Sequence, residues 1–304
     1  MNVISERFYD IPAAQRWGSI RPVAKGWSQD QKYYIERNDG ARLLLRVSAS
    51  AGFEAKQREF QIMQQVARLG VAMSIPLEFG RCNGGSEVYS LFTWIDGVAA
   101  DEFVPTVSVA EQYRLGVAAG RILRRFHTIA APENQVSWEA RMLKKFAGHQ
   151  ERYQSCGIQV AGDEAALAYI REQLFLLKDR PQVWQHGDFH LGNLIVTPER
   201  SVGVIDFNRW DYGDPYEEFY KMMYFTRESS ISFARGQLEG YFPEGVPEDF
   251  FALVALYLAD VILFSVAWAV PFGPADVAGM LRRAEMVLGD YDHFRTAVPR
   301  WYQS

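Results

Sequence analysis

Gln185-His186-Gly187-Asp188-Phe189-His190-Leu191-Gly192-Asn193, with Val204-Ile205-Asp206-Phe207 downstream, is the stretch that decides how this chain folds. An aspartate is followed five residues later by an asparagine and eighteen residues later by a second aspartate, all between apolar, strand-like runs. A turn between two strands needs some polar residues, but not this full set at this spacing. The skeleton suits phosphoryl transfer, where the protein mainly positions the partners and neutralises charge. One carboxylate must face a hydroxyl, and Asp188 stands where it would. Magnesium takes hard oxygen ligands from few protein groups, which the Asn193 amide and the Asp206 carboxylate supply.

Upstream of this insert (residues 182–210) the first hundred residues read as β-rich. Lys32–Arg37 and Ala41–Val47 flank Asn38-Asp39-Gly40, a hairpin signal. Residues 52–69 carry helical periodicity, with Gly70 as the stop. A second hairpin pairs Leu77–Cys82 with Glu87–Trp94 around Asn83-Gly84-Gly85-Ser86. After Ile95-Asp96-Gly97 the character changes to helical patterns at 108–128, 137–154, 163–177, 215–227, 248–269 and 275–292. The expected class is α+β and bilobal: a small antiparallel sheet lobe over residues 1–95 and a mainly helical lobe over 96–304.

Composition narrows the function classes. The 304 residues are 48% hydrophobic and carry a net charge of −5, without the basic field of a nucleic-acid binder. Two cysteines, Cys82 and Cys156, are too few for a disulfide framework and read as reduced thiols of a cytoplasmic protein. No signal peptide is visible at the N-terminus. Residues 251–270 have the length of a membrane span, but a lone segment with a central Asp260 reads instead as the buried core helix of a large helical lobe. No membrane partner is expected.

The HGDFHLGN and VIDF motifs closely resemble those of the aminoglycoside phosphotransferase family, within the choline kinase and protein-kinase-like superfamily, and the resemblance covers nearly the whole chain. It implies a protein-kinase-like fold, with Asp188 as the catalytic aspartate and Asn193 and Asp206 as ligands of Mg2+. The implied reaction moves the γ-phosphoryl group of ATP or GTP to a hydroxyl of a small molecule, an aminoglycoside or similar antibiotic. A metabolite kinase of choline, homoserine or thio-sugar type is the alternative, and a nucleotide-binding pseudokinase a further one.

Lys25-Gly26-Trp27-Ser28-Gln29-Asp30 resembles the short nucleotide loop of the family, with Gly26 and Ser28 near phosphate. The third strand presents Arg46 where the kinase pattern has a lysine, and arginine binds phosphate bidentately. Its carboxylate partner is Glu59, which shares the apolar face of its helix with Ile62, Met63 and Val66, whereas Glu54 lies on the wet face. In Leu91-Phe92-Thr93-Trp94-Ile95, backbone groups of Thr93 and Ile95 are the choices for the adenine edge.

Candidates for acceptor contact are Asp211, Glu218 and Asp260. Asp214-Pro215-Tyr216-Glu217 reads as an N-cap and capping box. Asp260, among Leu256, Tyr257, Leu263 and Phe264, must find a partner, protonate, or face a polar cleft. His186 and His127 read as structural, and His190 as a solvated loop histidine.

Overall fold

The Asn38-Asp39-Gly40 turn, with Gly40 at φ 82°, brings Glu36 opposite Arg42 and so sets the register of the first sheet. The computed structural model describes residues 6–24 and 30–303. The strands are β1 (Trp17–Val23), β2 (Gln31–Arg37), β3 (Arg42–Ala49), β4 (Pro76–Cys82) and β5 (Glu87–Thr93), with helix α1 (Phe53–Ala67) between β3 and β4. The sheet is antiparallel throughout, in the order β1-β2-β3-β5-β4. Alternation splits β3 between two faces. Leu43, Leu45 and Val47 join Phe8, Ile11, Trp17, Ile35 and Leu91 in one core. On the other face, Phe60 of α1 packs on Phe79 and Phe92, with ring centroids 5.5 and 6.1 Å apart.

The chain continues through β6 (Val98–Ala99), α2 (Ala100–Phe103), α3 (Val109–Phe126), α4 (Trp138–Ser155) and α5 (Asp163–Gln173). Short strands β7 (Val183–Gln185), β8 (Leu194–Val196), β9 (Val202–Val204) and β10 (Asp211–Gly213) follow. Helices α6 (Phe219–Lys221), α7 (Arg227–Ser229), α8 (Ile231–Tyr241), α9 (Phe250–Ala269), α10 (Pro274–Asp290) and α11 (Arg300–Gln303) complete it. Two compact units result. The first holds Met1–Val98 and Ile195–Asn208, the second Ala99–Leu194 and Arg209–Ser304. Within the first unit, Met73 forms a parallel bridge to Val204, and Gly203 leaves room for the Ile95 side chain.

α9 is the buried core helix of the second unit. Phe250–Phe272 is long and apolar enough to cross a membrane, with an 18-residue window of mean hydropathy 2.3, yet 78% of that window is buried inside the protein. α3 and α8 cross at backbone contact. A Cβ on Gly116, Gly120, Gly236 or Gly240 would fall 2.1–2.2 Å from a carbonyl oxygen of the other helix. Ser230 starts α8 by accepting the Phe233 N–H at 3.0 Å.

Two expectations change here. Residues 215–218 form a turn, so the helix expected from 215 begins at Phe219 and soon widens into a π turn, Met222–Thr226. Asp214 does accept the Tyr216 N–H (2.9 Å), but Glu217 closes no capping box; its carboxylate takes Lys145 (3.0 Å) and Gln185 (3.2 Å) instead. Both cysteines are free.

Candidate active site

The candidate residues form one set in each unit. In the first unit, β3 and α1 bring Arg46 and Glu59 together, Nη1 to Oε1, at 2.9 Å. Arg46 also donates from Nη2 to Asp30 (2.6 Å), and Lys56 bridges Asp30 and Glu59 at 2.6 and 3.2 Å. Arg46 and Glu59 are both buried, while Glu54 is exposed. Burial would raise the Asp30 carboxyl, but Arg46 and Lys56 outweigh it and hold its pKa at about 2. Burial likewise opposes the Arg46 charge, and Glu59, Asp30 and Asp206 outweigh it.

A residue that the sequence reading missed lies beside this cluster. Lys32 of β2 pairs with Arg46 across the ladder, and its Nζ is 3.4 Å from Oδ2 of Asp206. Counting back from the Asp39-Gly40 turn would have found it. Asp206 adopts φ 63°, unusual for a residue with a side chain, and its Oδ1 is buried without a hydrogen-bond partner among the described residues. Both backbone and side chain of Thr93 are engaged by Ile75: its N–H donates to the Ile75 carbonyl (2.9 Å), and its hydroxyl accepts from the Ile75 N–H (2.9 Å). Ile95 lies just past β5, its side chain against Gly203. Gly26 and Ser28 lie outside the described residues.

In the second unit, the loop after β7 is tied down from behind. Glu218, buried, accepts the backbone N–H groups of His186 (2.9 Å) and Gly187 (2.5 Å). His127 stands behind it, Nε2 at 3.3 Å from Glu218 and Nδ1 at 2.7 Å from the Tyr241 hydroxyl. Glu218 is thus an anchor of the loop, because its oxygens are taken by backbone N–H groups and His127. Gly187 sits at φ 78° with room for no side chain, since a Cβ would fall 1.9 Å from the Arg209 carbonyl oxygen. His186 is fully buried, and its Nδ1 accepts the Asp188 N–H at 3.2 Å.

Asp188 is surrounded by Lys221, Arg209 and the His190 imidazole. Its Oδ1 lies 2.7 Å from Lys221 Nζ and 3.5 Å from His190 Nε2, while its Oδ2 has Arg209 Nε at 3.8 Å. Burial would raise the carboxyl, but the His190 hydrogen bond and the Lys221 charge win, holding it well below the usual carboxylate range. Burial would lower the Lys221 ammonium, and Tyr220 and Asp188 outweigh that. His190 is not a solvated loop histidine: Nδ1 accepts the Gly192 N–H (3.1 Å), which places its proton on Nε2 toward Asp188. Asn193 donates from Nδ2 to the Asp188 carbonyl (2.9 Å), leaving its own amide oxygen uncommitted among the described residues.

Of the acceptor candidates, Asp211 is exposed and paired with Arg141. Asp260 lines an open cleft between α4, the 217–220 segment and α9, walled by Phe146, Tyr220 and Phe264. It bonds His149 Nδ1 at 2.6 Å, and His149 stacks on Phe264 with centroids 3.7 Å apart. Burial raises the Asp260 carboxyl, with His149 opposing.

Each unit carries a hard-oxygen donor of the kind that magnesium takes. Asp206 offers a buried carboxylate oxygen with no partner among the described residues, and Asn193 an uncommitted amide oxygen. Among the described residues no group of three or more His, Cys, Asp or Glu gathers at one point. A magnesium site completed by substrate phosphates and water requires none.

An antiparallel sheet with one helix, followed by a helical unit carrying the aspartate loop, defines the class of kinase-like phosphotransferases. The chain belongs to the phosphotransferase enzyme family, whose profile matches residues 19–251. Solved structures share the fold at low identity. One is a choline/ethanolamine kinase family protein from Mesorhizobium loti, with TM-score 0.68, 15% identity, and coverage of 95% of this chain and 94% of that one. Another is aminoglycoside phosphotransferase APH(4)-Ia, with TM-score 0.65, 16% identity, and coverage of 90% and 94%. A thermostable mutant of that enzyme forms a ternary complex with ADP and hygromycin B. Among curated proteins, Acyl-CoA dehydrogenase family member 10 of Mus musculus is 27% identical over 226 residues, 67% of this chain. The chain spans only 20% of that relative's length.

Proposed function

We propose that this protein transfers the γ-phosphoryl group of ATP, or GTP, to a hydroxyl of a small molecule. The observation that carries this is Asp188, a half-buried carboxylate held by Lys221 at 2.7 Å, at the tip of a loop fixed from behind by Glu218. The acceptor oxygen forms its bond to phosphorus as the bridging bond to the nucleoside diphosphate breaks. Asp188 orients the hydroxyl and takes its proton late, then releases it to solvent. Arg46, set by Glu59 and Asp30, and Lys32 provide positive charge for the nucleotide phosphates. Gly26, Ser28, Thr93 and Ile95 are the proposed remaining nucleotide contacts. Asn193 and Asp206 are the proposed magnesium ligands, and the bound ion would neutralise phosphate charge.

For the acceptor, an aminoglycoside or similar antibiotic is the first reading by resemblance. The cleft favours the second, a metabolite kinase. A polycationic acceptor is held by uncommitted carboxylates, but Glu217 spends both oxygens on Lys145 and Gln185, and Asp260 holds His149. Aromatic walls and internally balanced charge suit an acceptor with few positive charges. Purified protein should be assayed with Mg–ATP and Mg–GTP against aminoglycosides, macrolides, and choline-like and other amino-alcohol metabolites. Transfer to a low-charge hydroxyl compound, lost in Asp188→Ala by a factor on the order of 10²–10⁴ with nucleotide affinity kept, supports the reading. Wild-type transfer rates in Asp188→Ala would remove it.

A further inference from the structure

We infer that Lys221 is the positioning residue of the transfer centre: its ammonium fixes Oδ1 of Asp188, so that Oδ2 is the oxygen turned toward the acceptor hydroxyl. The inference rests on the phosphotransfer reading above and adds a residue to it. The two carboxylate oxygens are unlike. Oδ1 has Lys221 Nζ at 2.7 Å and His190 Nε2 at 3.5 Å, whereas among the described residues Oδ2 has only Arg209 Nε at 3.8 Å, beyond hydrogen-bond distance. Oδ2 therefore keeps the capacity to accept an acceptor O–H.

Lys221 is itself held. It is buried, with Nζ 5.1 Å from the Tyr220 ring centroid and 5.5 Å from that of Phe225, aromatic faces that attract a desolvated ammonium. The residues directly after it form the π turn Met222–Thr226. In a regular α-helix, residue 226 would point about 140° away from residue 221. A π turn, bonded i to i+5, returns it beneath Lys221. The widened turn thus faces the loop at three places. Lys221 meets Asp188, the Phe225 ring lies 5.0 Å from that of His190, and the Thr226 hydroxyl accepts the Leu191 N–H at 3.3 Å. π turns are rare and concentrate at functional sites. Here one turn holds the partner of the aspartate and the loop around it in a single piece.

The test uses the full chain, with ATP turnover to ADP and inorganic phosphate as the readout, water serving as acceptor. Wild type, Lys221→Met, Lys221→Arg, Asp188→Asn and the Asp188→Asn/Lys221→Met double variant are compared, with a fluorescent ATP analogue reporting affinity and a thermal melt reporting folding. Lys221→Met should lower kcat roughly 10- to 100-fold, the usual worth of one charge-assisted hydrogen bond. ATP affinity should stay within about two-fold, and Lys221→Arg should recover part of the rate. The double variant should turn over no more slowly than Asp188→Asn alone, because Lys221 acts through that carboxylate. A Lys221→Met rate within two-fold of wild type would overturn the inference. So would a double variant slower than Asp188→Asn by the full factor, or a Lys221→Arg protein that folds and is as slow as Lys221→Met. Wild-type protein that turns over no ATP at all would strike the phosphotransfer reading, and this inference with it.

Discussion

Replacing Arg46 with methionine keeps the length of the side chain and removes the charge between Asp30 and Glu59. Arg46 gives these carboxylates hydrogen bonds of 2.6 and 2.9 Å at a site where its side chain is 7% exposed. Removing one partner of a buried ion pair costs about 3–5 kcal/mol. Lys56 remains as a countercharge at 2.6 and 3.2 Å, so the loss should sit below that range, at about 2–3 kcal/mol near pH 7. Part of this is proton-linked. Asp30 falls from an ordinary 3.8 to about 2 in the folded protein, worth at most about 2.5 kcal/mol. Its partial contact with water reduces that to about 1–2 kcal/mol. A depressed carboxyl stabilises the fold above its unfolded pKa, and the contribution fades as pH falls through the folded value. About half should be gone at pH 3. Urea melts of wild type and Arg46→Met at pH 7, 5 and 3 measure the difference. It should be equal at pH 7 and 5 and visibly smaller at pH 3. Equal stabilities at pH 7, or a gap that stays constant down to pH 3, would refute the reasoning.

Asp260→Asn removes a carboxyl whose pKa is raised by burial. Ionising wild-type Asp260 costs stability as pH rises past the ordinary carboxylate value toward the raised one, so the variant should gain on wild type over that interval and hold the gain above it. Melts between pH 4 and 7 with a pH-independent difference would dismiss the burial argument. Gly120→Ala puts a Cβ 2.1 Å from the Gln237 oxygen and should cost about 3 kcal/mol or more, a fall in Tm of several degrees. Gly148→Ala in α4 meets nothing within 4 Å and should stabilise by about 0.5–1 kcal/mol, so similar melts for the two variants would contradict the packing described here.

What could be read beforehand was local. The hairpin at Asn38-Asp39-Gly40 and the apolar run of α9 each declare themselves within a dozen residues or so, through turn chemistry or hydrophobicity. Glu59 was separable from Glu54 because helical periodicity alone distinguishes a wet face from a packed one. The misses depend on distant partners. Glu217 stands where a capping box would place it, but Lys145 and Gln185 arrive from α4 and β7 and claim its oxygens. His190 has nothing in its own sequence to announce the Gly192 amide that fixes its tautomer, and Lys221 only matters once the π turn faces it toward Asp188. α8 escaped notice because Ile231-Ser232-Phe233-Ala234-Arg235-Gly236-Gln237 mixes polar residues with a glycine. Glycine lowers helix propensity, and here it is required by the crossing with α3.

That crossing works as a keyway. Each of the paired glycines receives a carbonyl from the opposite helix, so sliding α8 along α3 by one residue would drive a side chain into backbone. α8 therefore has one permitted seat, and it begins only five residues beyond Thr226, after the short α7. A helix that cannot slip fixes the azimuth of the segment immediately before it. The rotational setting of the Lys221–Thr226 turn, and with it the aim of Asp188, is consequently dictated by the neighbouring helix crossing, through residues that have no side chain at all.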